Sequence, residues 1–235
     1  MKKILIPEIS VFFPAYNEEG NIKKTVEKAV AVLEKIAGKY EIIIVNDGSR
    51  DRTGEIGKNL AEKNPLIKVI THSINKGYGE ALKTGFYNSR YAWICCTDAD
   101  GQFDFSEITK LWEKAKNASV VIGYRLNRRD SLVRKINGFG WTLLANILLE
   151  IGVRDVDCSF KLVKKEVIEK IPRLESTRGG MISPELLGKA KKSGFKIAEV
   201  GVGHFPRTAG RQTGANLRVI FRSFIDLFHL WWKIR

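Results

Sequence analysis

From residue 9 to residue 125, short apolar runs alternate with stretches whose apolar residues recur every three or four positions, which predicts strand, helix, strand, helix. Residues 9–13 (ISVFF) read as a buried strand that Pro14 stops. After NEEG at 17–20, Val26, Ala29, Val30, Leu33 and Ile36 share one helix face, and Gly38 is expected to end that helix. Residues 40–45 form a second strand that delivers Asn46, Asp47, Gly48 and Ser49 at its end, after which Asp51 or Thr53 can cap the next helix. Residues 66–71 form a third strand. The loop NKGYG at 75–79 follows, its two glycines permitting a tight turn and close approach of a ligand, and a helix covers 80–89. Residues 91–96 (YAWICC) and 119–123 (SVVIG) are the fourth and fifth strands, the last ending in Tyr124 and Arg125. Near-continuous apolar strands separated by helices predict an α/β fold: a single Rossmann-like domain with a mostly parallel sheet flanked by helices.

The pattern changes toward the C-terminus. Leu217, Ile220, Phe221, Phe224, Phe228 and Trp231 fall on one helix face, and Arg218, Arg222, His229 and Lys233 on another. Tryptophans and cations on such a helix suit a membrane interface. Residues 134–151 repeat the motif, with Ile136, Phe139, Leu143, Leu144, Ile147, Leu148 and Ile151. Packing against the domain or against another subunit is the competing use of both faces. The expected division is therefore a domain over 1–212 and an amphipathic helix over 213–235. No run reaches the roughly 18 apolar residues needed to cross a bilayer. The start of the chain is basic, but its apolar part is too short before Pro7 for a signal peptide. A cytoplasmic protein, peripheral on the cytoplasmic membrane face, is expected.

Composition adds charge. The 235 residues carry 40 Lys and Arg against 26 Asp and Glu, a formal net charge of +14, which suits anionic lipid or a phosphorylated substrate. Nucleic acid is not the expected partner. Cys95, Cys96 and Cys158 have neither disulfide nor zinc spacing and read as core thiols in a reducing compartment.

The chemistry gathers at strand ends. Ligands of open α/β sheets bind beyond the carboxyl ends of the strands, and TDADGQ at 97–102 places two carboxylates, one residue apart, where the fourth strand stops. Hard divalent cations take oxygen ligands, so Asp98 and Asp100 suggest a Mg²⁺ or Mn²⁺ site holding a substrate diphosphate. Asp47, the 75–79 loop and Arg125 end neighbouring strands and face the same edge.

Taken in order, PAYNEE at 14–19, VNDGSRD at 45–51, NKGYG at 75–79, TDADGQ at 97–102 and GYR at 123–125 resemble the motif series of inverting family 2 glycosyltransferases of the glycosyltransferase-A fold. More narrowly, residues 8–210 resemble the catalytic domains of polyprenyl-phosphate sugar transferases of the dolichyl-phosphate mannose synthase type. The resemblance implies that Pro14, Ala15, Tyr16, Glu18, Asp47, Lys76, Asp98 and Ala99 bind the donor nucleotide, and that Asp98, Asp100 and Gln102 ligate the metal. It implies that Arg125, Arg134 and Asn137 bind the acceptor phosphate. It gives HFPR at 204–207 an arginine, Arg207, that meets the donor phosphates from a mobile loop. Asp100, Arg125, Asp157 and Arg207 form the implied catalytic set. DVDCSFK at 155–161 carries Ser159 and Lys161 where many relatives have Gly and Arg, which leaves open whether Asp157 orients the sugar, orients the acceptor or caps a turn. Glu185, after Ser183 and Pro184, is expected to open a helix.

The implied reaction moves a sugar of the glucose or mannose class from a nucleotide sugar to a polyprenyl or dolichyl phosphate. Arginine suits that acceptor because its planar fork can donate two hydrogen bonds to a phosphate. A phosphate monoester, with its second pKa near about 6, is largely dianionic at neutral pH and needs little general-base help. A saccharide or other non-lipid acceptor is the alternative, and it would require such a base. Many relatives continue into transmembrane helices where this chain ends, so attachment through a homo-oligomer or a membrane-protein partner is also expected to be open.

Overall fold

The computed structural model describes residues 5–126, 132–177, 179–207, 209 and 217–234, with the side chains of 132–134 and 217–222 outside the description. The first strand, β1 (Ile6–Ala15), and the second, β2 (Ala37–Asn46), are connected by α1 (Ile22–Ile36). Helix α1 buries Ile22, Val26, Ala29 and Leu33, the face its periodicity predicts. It stops one residue before the backbone turns extended at Ala37, so Gly38 lies inside β2 instead of ending the helix. Next come α2 (Thr53–Lys63), β3 (Ile67–Thr71), α3 (Tyr78–Asn88) and β4 (Trp93–Cys96). A 3-10 turn at Phe105–Glu107 leads into α4 (Ile108–Ala115), followed by β5 (Val120–Leu126) and α5 (Leu132–Leu149). The chain continues through β6 (Lys161–Lys164), α6 (Lys165–Lys170), α7 (Gly179–Lys192), β7 (Ile197–Gly203) and α8 (Leu217–Ile234).

The strands form one seven-stranded sheet in the order β3-β2-β1-β4-β6-β5-β7. All neighbouring pairs are parallel except those of β6, which runs antiparallel between β4 and β5. The carboxyl ends of the other strands therefore share one edge with the amino end of β6, at Lys161. Both faces are covered by helices, which explains why β1, β2 and β4 are apolar without alternation. Cys95, Cys96 and Cys158 are buried free thiols, as expected.

Tyr124 and Arg125 close β5, which runs one residue further, to Leu126. One local expectation is corrected. Glu185 does not open a helix: α7 begins at Gly179, Pro184 is accommodated within it, and Glu185 is buried mid-helix. The C-terminal helix packs on the domain through one side and leaves Phe224 and Phe228, two residues of the apolar face read from the sequence, exposed. Ser223, Leu227 and Leu230 are buried, while Phe224, Ile225, Phe228 and Trp232 are exposed. Its partners are α7 and α5, and Trp141 of α5 meets Phe224 edge-on with ring centroids 5.6 Å apart. Among the described residues, no helix is long and apolar enough to cross a membrane.

Candidate active site

Two loops beyond β1 and β2 are laced together before any ligand is considered. Glu18 N donates to Thr53 Oγ1 at 2.7 Å, Glu19 N to Asp51 Oδ2 at 3.1 Å and Asn17 N to Ser49 Oγ at 3.0 Å. Asp51 Oδ1 also accepts from the Thr53 backbone at 2.9 Å, but the N-cap of α2 is Arg52, with no side-chain cap, and neither Asp51 nor Thr53 fills that position. The third loop is held by Asp47. Its Oδ1 accepts from Lys76 N and its Oδ2 from Gly77 N, both at 2.9 Å, and His72 Nδ1 lies 2.6 Å from Oδ1. A carboxylate only accepts, so Nδ1 carries the proton, and Nε2 faces the Thr84 hydroxyl at 2.9 Å. The 75–77 segment crosses so close to Gly48 (φ 66°) that a Cβ there would come within 2.4 Å of Asn75 N. Glycine is required at 48 both for that approach and for its left-handed backbone.

Pro14 and Ala15 are buried at the end of β1, and Ala15 O accepts from Asp47 N at 2.9 Å. Tyr16 and the Lys76 side chain are exposed, so they flank the laced loops on the solvent side.

The carboxylates of 97–102 sit at the next strand end. Thr25 Oγ1 donates to Ala99 O at 3.1 Å, and Gln102 N to Asp100 Oδ1 at 3.0 Å, which closes the turn. Asp98 Oδ1 accepts from the Tyr78 hydroxyl at 2.7 Å. Burial first, then the charges of Asp98 and Asp100, push the Tyr78 phenol well above its ordinary range, so it remains a neutral donor. Asp100 is buried, and desolvation together with the nearby Asp98 raises its pKa to about 7. Residues 204–207 lie over this pair. Phe205 N donates to Gln102 O, Gln102 Nε2 donates to Phe205 O at 3.0 Å, and His204 packs edge-on against Phe103. Arg207 pairs with Glu18 and reaches to 3.7 Å from Asp100 Oδ2.

A divalent cation fits this arrangement. The Asp98/Asp100 pair carries more negative charge than its burial favours, and a guanidinium already faces it. Gln102, its amide nitrogen engaged, has its amide oxygen left as an acceptor. Among the described residues no group of three or more His, Cys, Asp or Glu side chains gathers to hold a metal. Two carboxylates and one amide suit a cation that keeps waters and takes phosphate oxygens for the rest of its shell, the habit of Mg²⁺.

Across β6, Arg125 of β5 is gripped by Asp155 in a two-pronged pair, Nε to Oδ2 and Nη2 to Oδ1, both 2.7 Å. Three of the five guanidinium donors are outside that pair. Asp157 is raised to about 6 by burial, with the Arg125 charge pulling the other way and Asp155 adding to the rise. Lys161, buried at the start of β6, donates to Cys158 O and, at 2.9 Å, to Ser183 Oγ, which ties the 155–160 turn to α7. Asn137 is exposed on α5. Arg134 lies in the first turn of the same helix, but its side chain lies outside the described residues, as do Arg128 and Arg129.

The structure thus joins Glu18, Asp98, Asp100, Gln102 and Arg207 in one cluster and turns Asp47 toward the 75–77 backbone. Asn137 makes no hydrogen bond to that cluster among the described residues. The sequence reading had given no role to His72, Tyr78 or the Arg125–Asp155 pairing. Tyr78 stood within a quoted loop, whereas His72 carried no local signal. A cavity of ≈ 450 Å³ opens elsewhere, between α7, α8 and residues 175–177. Two ion pairs line it, Glu185 with Lys189 and Glu175 with Lys233, each at 2.6 Å, and it shares no lining residue with the carboxylate cluster.

Comparison with known proteins places this geometry in a lineage. The dolichyl-phosphate beta-glucosyltransferase ALG5C of Trichomonas vaginalis is 34% identical over 206 residues, covering 80% of this chain and 61% of that protein. The undecaprenyl-phosphate 4-deoxy-4-formamido-L-arabinose transferase of Pseudomonas paraeruginosa is 29% identical over 232 residues, covering 95% of this chain and 65% of that protein. The chain therefore spans less than two thirds of the length of these relatives. Among solved structures, glucosyl-3-phosphoglycerate synthase from Mycobacterium tuberculosis with Mn²⁺ and UDP-glucose superposes with a TM-score of 0.73 at 19% identity, over 97% of this chain and 80% of that one, which establishes the fold. The family model described as "Glycosyl transferase family 2" matches residues 10–172, and the chain belongs to that family.

Proposed function

We propose that the chain transfers a hexosyl group, of the glucose or mannose class, from a nucleoside-diphosphate sugar to a polyprenyl or dolichyl phosphate with inversion at the anomeric carbon. The observation that carries this reading is the pairing, on one sheet edge, of the Asp98/Asp100 carboxylates just beyond β4 with the Asp155-held Arg125 on β5. Two inter-strand spacings, roughly 9–10 Å, separate those strands, which leaves room for a sugar between a donor diphosphate and an acceptor phosphate. Relatives named for dolichyl and undecaprenyl phosphate support the acceptor class, and the first of them supports glucose.

In this reading Pro14, Ala15, Tyr16, Glu18 and Lys76 surround the nucleoside, with Asp47 shaping the loop that carries Lys76. A Mg²⁺ or Mn²⁺ held by Asp98, Asp100 and Gln102 supplies Lewis-acid neutralisation of the leaving diphosphate. Arg207 exchanges its carboxylate partners for the donor phosphates. Arg125, with Arg134 and Asn137 from α5, binds the acceptor phosphate, and Asp155 fixes the direction of the Arg125 fork. The acceptor dianion attacks without a protein base, so positioning and electrostatics supply the catalysis. The exposed apolar faces of α5 and α8 rest peripherally on the cytoplasmic face of a membrane, where such a lipid resides.

One observation favours a second reading. Asp157, raised to about 6, has the pKa of a group that can accept a proton at neutral pH, as a saccharide acceptor requires. Incubating the protein with UDP- and GDP-sugars, Mn²⁺ or Mg²⁺, and either polyprenyl phosphate or oligosaccharides decides between them. Lipid-linked sugar, lost in Asp98→Ala, is the expected result. Product on oligosaccharides alone, abolished by Asp157→Asn, would establish the second reading.

A further inference from the structure

We infer that Tyr78 is a positioning residue of the donor site, its hydroxyl holding Asp98 so that one carboxylate oxygen stays available for the cation-diphosphate. The inference rests on the transferase reading above and goes beyond it by giving a task to a residue outside the cation's own ligands.

Tyr78 is the first residue of α3, and its place is fixed from both sides. Before it, Gly77 (φ 95°) donates its N–H to Asp47 Oδ2, so the buried Asp47 sets where the helix starts. After it, Gly79 N donates to Thr177 O at 3.0 Å. Across from its side chain lies Gly179, where an added Cβ would come to 3.4 Å from the Tyr78 Cβ. A ring confined between these segments has little rotational freedom, and its hydroxyl falls 2.7 Å from Asp98 Oδ1.

That hydroxyl is the one hydrogen-bond partner of the Asp98 carboxylate among the described residues. One oxygen is thus committed and the other is left for a ligand. The kind of donor matters. A lysine or arginine here would neutralise Asp98 and compete with a cation, whereas a phenol orients the carboxylate and leaves its charge intact. Without the hydroxyl, no other hydrogen bond among the described residues would hold the Asp98 carboxylate in place. Outer partners of this kind typically change metal affinity by about 10–100-fold when removed.

The test compares wild-type protein with Tyr78→Phe, which keeps the ring and loses only the hydroxyl. Binding of UDP and of GDP is measured by calorimetry with and without Mn²⁺, alongside thermal melting. Mn²⁺-dependent nucleotide binding is expected to weaken about 10-fold in Tyr78→Phe, with the melting temperature and the Mn²⁺-free binding unchanged. In an Asp98→Asn background the same substitution is expected to have no further effect, because its target is gone. Equal Mn²⁺-dependent binding by both proteins overturns the assignment alone. So does an equal loss with and without Mn²⁺, which marks Tyr78 as a packing residue. Wild-type protein that binds neither nucleotide in a Mn²⁺-dependent way overturns the transferase reading and this assignment with it.

Discussion

Asp157 is where burial and nearby charge oppose each other most plainly. Burial lifts it from 3.8 to about 6 although Arg125 and Lys161 favour its ionised form, so ionising it costs the folded state free energy. The folded protein then binds more protons than the unfolded chain between about pH 4 and pH 6, and stability falls as pH rises through that window. Two units correspond to about 2–3 kcal/mol. Melting wild type and Asp157→Asn side by side from pH 4 to pH 8 should show the variant gaining on wild type as pH rises, by up to about 2 kcal/mol above pH 7. A constant difference across that range would contradict the buried charge. The identities of such residues were legible in the sequence, but their partners were not. Asp98, Asp100, Arg125 and Arg207 stand out as charges where strands stop, whereas Arg125 finds Asp155 thirty positions away and Arg207 finds Glu18 across 189. Those separations are closed by strand order, which no local pattern encodes. His72 illustrates the same limit, since only the β2–β3 register brings it to Asp47.

At the scale of elements, helix–sheet packing decides what a glycine is worth. In α3, a Cβ on Gly85 would come to 2.2 Å from the ring of Phe12, which is fully buried and locked edge-on against Phe86 at 4.9 Å. In α5, a Cβ on Gly140 meets nothing within 4 Å. Alanine gains up to about 1 kcal/mol of helix propensity at either place. Overpacking in a close-packed core costs about 1–3 kcal/mol, so it exceeds the propensity gain at 85 and is absent at 140. Denaturant unfolding should find Gly85→Ala destabilised by about 1–2 kcal/mol and Gly140→Ala stabilised by about 0.5–1 kcal/mol; the same sign at both sites would refute the packing argument. Strands β1 to β5 and their helices were readable because unbroken apolar runs signal strands covered on both faces. Strand β6 escaped the sequence reading because four residues, KLVK, carry too short a pattern, and only its insertion between β4 and β5 makes it a strand. The packing face of α8, through Ser223, Leu227 and Leu230, was not legible for a related reason. Apolar residues surround most of that helix, so periodicity alone could not tell the side that packs on α7 from the side that looks outward.

Over the whole molecule, that outward side is the largest departure from an ordinary surface. Ile136, Phe139, Leu143 and Ile147 form an exposed stripe along α5, with Phe139 at 71% exposure. Phe224, Ile225, Phe228 and Trp232 continue it on the adjoining α8, with Trp232 at 73%. Exposed apolar patches of this kind mark interaction surfaces, and in the proposed reading the net charge of +14 would draw this one to anionic lipid. The buried contacts of α8 show how to test it. Removing residues 217–235 would also strip Leu227 and Leu230 from the core and the Lys233–Glu175 pair from the 175–177 segment. Point changes on the outward face avoid that. Fully burying a phenylalanine is worth about 1.5–3 kcal/mol, and interfacial insertion recovers about 1 kcal/mol of it. Phe139→Ser with Phe228→Ser should therefore weaken partitioning onto anionic vesicles about 20–30-fold without lowering the melting temperature. Raising salt should weaken wild-type binding without abolishing it, because the apolar part is unscreened. Partitioning that the double variant leaves intact, with self-association in solution lost, would assign the stripe to a second copy of the chain. If instead it binds vesicles as predicted, the stripe brings the sheet edge carrying Asp98, Asp100 and Arg125 to the surface where a lipid phosphate is found.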